Sequence, residues 1–309
     1  MKEFEGKVAV ITGAGNGFGV EIAKECAYRK IKMILVDIEK EDVELTKKMV
    51  CSMGGEAIAL QADVTLFEEV KKMVDIAIEE YGQIDLLFNN AGVAIPGVIW
   101  ELPMRDWDWI VQVNVMSQVY AMNLAIPIML KQNTPCHIIN TASVAGLITS
   151  DGMPAYHTTK HAAVALSESV SYDLQKINAN IKISVLCPGF VQTDLHHYEK
   201  HRPERFKDES DPYYQSESFR AGQATAEHVI TTGIPVDSIG MSVFQAIEDE
   251  DFYILTHPIY STLIGKRVKD MLEGKGPDLK ALRGEREKRI DSKMWEYPKV
   301  CVNLQTDVR

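Results

Sequence analysis

The chain has 309 residues, 46% of them hydrophobic, and a formal net charge of −11. That length and apolar content suffice for one large core or two small ones, and the acidic balance argues against nucleic-acid binding, which needs a basic face. The five cysteines, Cys26, Cys51, Cys136, Cys187 and Cys301, are odd in number and form no C-x-x-C pair, so they read as reduced thiols of a cytoplasmic protein, with neither a disulfide frame nor a zinc site.

The N-terminal MKEFEGKVAVITG holds no apolar run of signal-peptide length. No stretch is expected to reach the roughly 20 apolar residues that cross a bilayer. The first apolar run, KVAVITG from Lys7, is continuous rather than alternating, as a strand buried on both faces should be. It leads directly into TGAGNGFGVEIAKECA, where Gly13, Gly17 and Gly19 fall at a turn and at the start of a helix. Glycine there lets a backbone approach a ligand closely, and the helix N-terminus offers free N–H groups and a positive dipole end suited to pyrophosphate. The second strand, KMILVD from Lys32, ends at Asp37. A carboxylate in that place accepts hydrogen bonds from an adenosine ribose diol and repels a 2′-phosphate, which favours NAD(H) over NADP(H).

A third strand is expected in AIALQAD from Ala57, followed by an amphipathic helix from Phe67 to Glu80 with Val70, Met73, Val74 and Ala77 on one face. IDLLFNNAG from Ile84 is the fourth strand, and MRDWDWIVQVNVMSQVYAMNLAIPIML, which contains Asn114, is a long helix. The fifth strand, HIINTAS from His137, ends at Ser143. PAYHTTKHAAVALSESVSYDL, from Pro154, then places Tyr156 and Lys160 four residues apart on one helical face. IKISVLCPG from Ile181 and FYILT from Phe252 complete the set. Strands alternating with helices predict a doubly wound α/β fold, with a parallel seven-stranded sheet covered by helices on both faces in one domain.

At these residues the chain resembles the short-chain dehydrogenase/reductase family, continuously from about Lys7 to Thr193. The motif Thr-Gly-x-x-x-Gly-x-Gly is present from Thr12 to Gly19, with Phe18 where the family often has Ile. No Arg or Lys stands at Ala14, Gly15 or Asn16, where NADP-using relatives often carry one. Asp63 and Val64 look like the pair that contacts adenine, and NNAG, Asn89 to Gly92 and so including Asn90, matches the fourth-strand motif. PGFVQT, Pro188 to Thr193, resembles the segment that cups the nicotinamide carboxamide through Val191 and Thr193. The resemblance implies a catalytic tetrad of Asn114, Ser143, Tyr156 and Lys160 and a cofactor site including Gly13, Asn16, Gly17, Phe18, Gly19 and Asp37. The implied reaction is hydride transfer between NAD(H) and an alcohol or ketone.

In that scheme Tyr156 is the acid/base. A nearby Lys160 ammonium and an oxidised nicotinamide ring would lower its pKa from about 10. Ser143 would hold the substrate oxygen, Lys160 the nicotinamide ribose, and Asn114 a water that relays protons. His157 and His161, four residues apart beside this pair, have no supporting acid and read as helix residues, so no metal is expected.

A polar but aromatic insertion, Leu195 to about Gly233, breaks the strand–helix rhythm and reads as a long loop, a lid over the substrate. With Trp100, Met153 and Phe190 expected near the pocket, it suggests a bulky apolar substrate, and within the family the chain most resembles a hydroxysteroid dehydrogenase. A 3-oxoacyl-carrier-protein reductase-like ketoreductase is the alternative, with a non-catalytic nucleotide-sensing regulator behind it. The last 44 residues carry 12 Lys and Arg against 8 Asp and Glu. Residues 275–309 are expected to form a charged extension beyond a 1–274 domain, anchored by Trp295 and Tyr297. Apolar Val119, Tyr120, Met122, Val164, Leu166 and Val170 on two helices imply a homo-oligomer, dimer or tetramer.

Overall fold

The computed structural model describes residues 1–208 and 210–282. A first compact unit spans Met1–Arg267, and a second begins at Val268. Trp295, Tyr297 and Cys301 lie outside the described residues, and with them the expected anchors of the basic tail.

The first unit is built on seven parallel strands in the order β3-β2-β1-β4-β5-β6-β7. They are β1 (Val8–Thr12), β2 (Lys32–Asp37), β3 (Glu56–Gln61), β4 (Leu86–Asn89), β5 (Cys136–Thr141), β6 (Ile181–Leu186) and β7 (Tyr253–Ile254). Each falls within or beside one of the apolar runs read from the sequence. The chain winds outward one way through β2 and β3 and the other way from β4 onward. The strand order therefore reverses between β1 and β4, which is where doubly wound sheets open a crevice at their carboxyl ends.

The two-residue repeat of the strands divides the core. Ile11, Leu35 and Phe88 point to one face, against Ile22 and Cys26 of α1 (Gly17–Tyr28), Val43 and Val50 of α2 (Lys40–Ser52), and Val243, Phe244 and Ile247 of a helix at Ile239–Asp249. Val10, Ile34 and Leu87 point to the other, against Val70, Met73 and Val74 of α3 (Phe67–Tyr81) and against the helices after β4 and β5. Because both faces are covered, strand residues are apolar without alternation, and the period of two shows only in which helices they meet.

The long helix after β4 is interrupted. It runs as α4 (Met104–Val111), then one π-helical turn (Gln112–Met116), then α5 (Ser117–Gln132). A π-turn inserts an extra residue and rotates the helix beyond it, and such turns gather at functional sites. This one carries Asn114. Contrary to expectation, the 29-residue run Met104–Gln132 is long and apolar enough, by length and composition, to cross a membrane. Its apolar residues are committed to packing: Trp109, Ile110 and Val113 enter one core, and Ala121, Met122, Ala125 and Met129 another. Asp106, Asn114 and Gln118 are buried along it, so the composition is that of a core helix on a sheet face.

α6 (Pro154–Lys176) begins with proline at its first turn, where the missing N–H costs nothing. The insertion after β6 is not the long loop read from the sequence. Three short 3₁₀ turns, Leu195–His201, Glu204–Phe206 and Pro212–Gln215, lead into α7 (Glu217–Thr231). Ser216 caps α7 by accepting a hydrogen bond from Phe219 N at 3.0 Å. A parallel bridge between Val191 and Ile234 closes the base of the insertion. Its aromatic residues account for the structure: Tyr198 and Tyr213 are buried with Trp109, Ile110, Val113 and Leu102 in a separate core, with Phe206, Tyr214 and Phe219 packed around it. The chain continues through α8 (Ile239–Asp249), β7 and α9 (Tyr260–Leu272).

Candidate active site

One cleft at the carboxyl ends of β1 and β4 gathers nearly every residue singled out from the sequence. Gly13, Asn16, Gly17, Phe18, Asp37, Asp63, Val64, Asn90, Ser143, Tyr156, Lys160, Val191 and Thr193 all line it. Two do not. Gly19 lies behind the turn, where a Cβ would fall 2.0 Å from Gly13 O, so its glycine serves the close packing of turn on helix. Asn114 is buried beneath the cleft.

At one end the turn after β1 is shaped for a close ligand. Gly13 has φ +63°, and a Cβ there would lie 2.9 Å from Ala91 Cα. Asn90 secures the same turn, donating from Nδ2 to Gly13 O at 3.1 Å, while the Thr12 hydroxyl accepts from the backbone N–H groups of Asn90 and Ala91. Asn16, at the N-terminus of α1, makes no side-chain capping bond, so the first-turn N–H groups face the cleft side without a side-chain acceptor from that position. Asp37 is held by two backbone donors, Gly15 N to Oδ2 at 2.8 Å and Glu39 N to Oδ1 at 3.0 Å. Burial raises its pKa above the ordinary carboxylate value, and these two bonds oppose that rise. Asp63 accepts at Oδ1 from the backbone and hydroxyl of Thr65. A glycine turn, an open helix end and an anchored carboxylate at the end of β2 together fit a dinucleotide.

At the other end stand the reactive side chains. Ser143 caps a short 3₁₀ turn (Val144–Gly146), its Oγ accepting from Ala145 N at 3.1 Å and donating to Pro188 O at 3.3 Å. Lys160 is buried and donates to Thr141 O at 3.0 Å, with its Nζ 5.6 Å from the centre of the Tyr156 ring. Burial brings Lys160 down to about 8. Burial also pushes the Tyr156 phenol up to about 12, and a hydrogen bond with Ser143 opposes the rise without cancelling it. Among the protein's own groups desolvation is the larger influence on this phenol.

Asn114 uses its whole amide on the protein. Oδ1 accepts from Val93 N at 2.9 Å, and Nδ2 donates to Val93 O at 2.9 Å and to Thr159 Oγ1 at 3.1 Å. The side chain therefore clamps the segment after β4 to α6, next to Lys160.

The apolar wall differs from the one expected. Trp109, Val113, Tyr198 and Ile230 line the cleft beside Tyr156. Trp100 is 80% exposed, and neither it, Met153 nor Phe190 lines the cleft. A buried ionic group, which the sequence did not reveal, braces this wall. Arg202 donates to Asp106 and, through Nε and Nη2, to both oxygens of Glu199 at 2.7 Å. Its guanidinium lies 4.2 Å from the Trp109 ring centre. The Tyr214 hydroxyl donates to Asp106 Oδ1 at 2.6 Å.

His157 and His161 lie in α6 and contact protein groups. His157 contacts Ala145 O through Nδ1 and Ser150 through Nε2, and His161 Nδ1 contacts His157 O. Among the described residues one trio, Asp194, His196 and His197 at the start of the insertion, has the donor types and spacing to hold a metal ion. His197 is already paired with Asp194.

Three comparisons bear on this geometry. The model of a family described as short chain dehydrogenase matches residues 7–204. A "CLA biosynthesis dehydrogenase/reductase" of Lactiplantibacillus plantarum is 50% identical over 284 residues, covering 92% of this chain and 99% of the relative. A meso-2,3-butanediol dehydrogenase of Serratia marcescens is 36% identical over 193 residues, covering 62% of this chain and 74% of the relative. Among solved structures, a short-chain dehydrogenase/reductase from Burkholderia phymatum in complex with NAD superposes with TM-score 0.87 at 38% identity, over 90% of this chain and 98% of the other.

Proposed function

The chain belongs to the short-chain dehydrogenase family, and from that premise we propose that it interconverts a secondary alcohol and a ketone with NAD(H), on a bulky apolar substrate. The observation that carries this reading is a single cleft with Asp37 at one end and Ser143, Tyr156 and Lys160 at the other.

NAD(H), when bound, supplies or accepts the hydride. Gly13, the N-terminus of α1 and Asp37 would hold its pyrophosphate and adenosine ribose, and Val191 and Thr193 would flank its nicotinamide. The protein's own work is done by protons and position. Tyr156, neutral at physiological pH, gives its phenolic proton to the carbonyl oxygen in reduction and takes it back from the hydroxyl in oxidation. Ser143 donates to that same oxygen and fixes it beside Tyr156. Lys160 stabilises the phenolate that remains, and Asn114 keeps Lys160 and the segment after β4 in register. Trp109, Val113, Tyr198 and Ile230 exclude water from the reacting carbon.

The apolar wall supports a large hydrocarbon framework. A steroid, as read from the sequence, is one member of that class. The relative named for CLA biosynthesis gives no support to a steroid over other members of that class. A cytoplasmic location is proposed from the free cysteines Cys26, Cys136 and Cys187.

The test is a panel of steroidal, long-chain apolar and small polar ketones with NADH. Bulky apolar ketones should turn over with the highest kcat/KM. Tyr156→Phe should abolish turnover by several orders of magnitude while NADH still binds. Retention of more than a few per cent of activity in that variant would remove Tyr156 from the role of acid/base.

A further inference from the structure

The short segment that opens the insertion lies over the opposite end of the cleft from the one expected of a substrate lid. His201 and Pro203 line the same cleft as Asp37, Ile38, Ala62 and Asp63. Three of its side chains reach acids on the rim around that end. Lys200 Nζ donates to Asp42 Oδ2 at 2.9 Å, and Arg205 Nη2 donates to Asp63 Oδ2 at 2.7 Å and to the Thr65 hydroxyl. His201 Nδ1 stands 3.5 Å from Glu39 Oε1. These partners are 140 to 162 residues apart in the chain, so nothing local requires them to meet. Between them, Arg202 is anchored inward on Asp106 and Tyr198 packs on Trp109.

The segment 198–206 is thus fixed by buried contacts on its substrate side and by solvent-facing ion pairs on its adenosine side. Lys200 and Arg205 are 49% and 40% exposed, so water and salt weaken these pairs and they can open and close within a catalytic cycle. Buried contacts of the Arg202 kind cannot.

We propose that Lys200 and Arg205, with His201 between them against Glu39, form a clasp that retains the cofactor, and that opening it controls NAD(H) release. The inference rests on the proposed NAD(H) dependence. It assigns the insertion a second task besides shaping the substrate pocket: an adenosine moiety lying between the 62–64 floor and the 201–203 roof leaves only when the clasp parts.

The test is release of NADH from the intact wild-type enzyme, followed by its fluorescence after mixing with excess NAD. Release should quicken as salt rises from about 0.05 to about 0.5 M, because the pairs are screened. Lys200→Glu, which replaces attraction by repulsion with Asp42, should speed release about twofold to fivefold, and Asp42→Lys should do the same. The double charge swap should return the rate towards wild type, a rescue that general damage to the segment would not produce. Arg205→Met should speed release independently. If NADH binds but its release is indifferent to salt and the double swap is no slower than either single variant, the clasp is refuted and the NAD(H) reading stands. If NADH does not bind the wild-type protein, both fall.

Discussion

Arg202→Met is the substitution that most directly probes the wall of the pocket. Asp106 is fully buried and Arg202 is 4% exposed. With the guanidinium gone, Asp106 keeps, among the described residues, only the Tyr214 hydroxyl on Oδ1, and its Oδ2 already lacks a partner among them. Removing one member of a buried ion pair costs about 3–5 kcal/mol, because the remaining charge stays desolvated. Loss of the guanidinium from the Trp109 face adds to this, on the order of 1 kcal/mol. At about 2–4 °C per kcal/mol for a domain of this size, the combined loss of about 4–6 kcal/mol should lower the melting temperature by roughly 8–24 °C. Adding Asp106→Asn removes the stranded charge and leaves an acceptor for Tyr214, so the double variant should regain at least about 2 kcal/mol. Both are read by thermal melts followed by circular dichroism. A single variant melting within about 1 °C of wild type, with no gain from the second change, would show that the pair does not hold the insertion to the body.

Asp37 should make NAD(H) preferred over NADP(H) by tenfold or more in kcat/KM, about 1.4 kcal/mol. Asp37→Asn should narrow that ratio by at least as much, since it removes the charge that repels a 2′-phosphate; an unchanged ratio would transfer the discrimination elsewhere. His137 is buried against Ser184 Oγ at 2.8 Å, and burial holds its pKa down to about 3. Below its unfolded pKa of about 6.5 the unfolded chain takes up a proton that the folded one refuses, so stability falls as pH drops through that window. The loss is on the order of 2–3 kcal/mol at about pH 4.5. Urea melts of His137→Gln at about pH 7 and 4.5 should show that share of the acid loss gone, and an unaltered difference between the two pH values would contradict it. α5 and α6 keep Tyr120, Leu124, Leu166 and Val170 only partly covered, from which we propose a homo-oligomer; light scattering at micromolar concentration should give a dimer or tetramer, and a monomer would end the proposal.

What could be read from the sequence was what local spacing encodes. Continuous apolar runs marked strands covered on both faces, because short runs rich in Val and Ile and bounded by glycine-rich turns suit buried strands better than helices. Tyr156 and Lys160 were found by helical spacing, and the glycine turn by its place between strand and helix. The π-turn at Gln112–Met116 left no trace, since one extra residue in a helix shifts the apolar stripe by an amount that ordinary variation conceals. The helices of the insertion were missed because their apolar residues are aromatic and scattered, burying themselves against Trp109 and Val113 from α4 and the π-turn and not against the sheet. The Arg202–Asp106 pair spans 96 residues, and no pattern along a chain reports such a meeting.

The raised phenol of Tyr156 changes how its pairing with Lys160 works. Burial acts on both groups, raising Tyr156 from 10.0 to about 12 and lowering Lys160 from 10.5 to about 8, so that two groups nearly equal in water move apart. Near neutral pH Lys160 is still charged and Tyr156 still protonated. Reduction of a ketone asks Tyr156 for a proton that it holds in this state. Oxidation of an alcohol asks for a phenolate, which burial opposes, the Ser143 hydrogen bond only partly favours, and positive charge arriving in the cleft would favour further. The protein alone therefore presents an acid, and the charge of an oxidised nicotinamide ring is what would convert the same side chain into a base. On this view Lys160 does not by itself activate the phenol. Its bond to Thr141 O and its place beside Asn114 keep a cation where the phenolate forms, so that its effect falls on the charged state during the reaction and not on the resting enzyme.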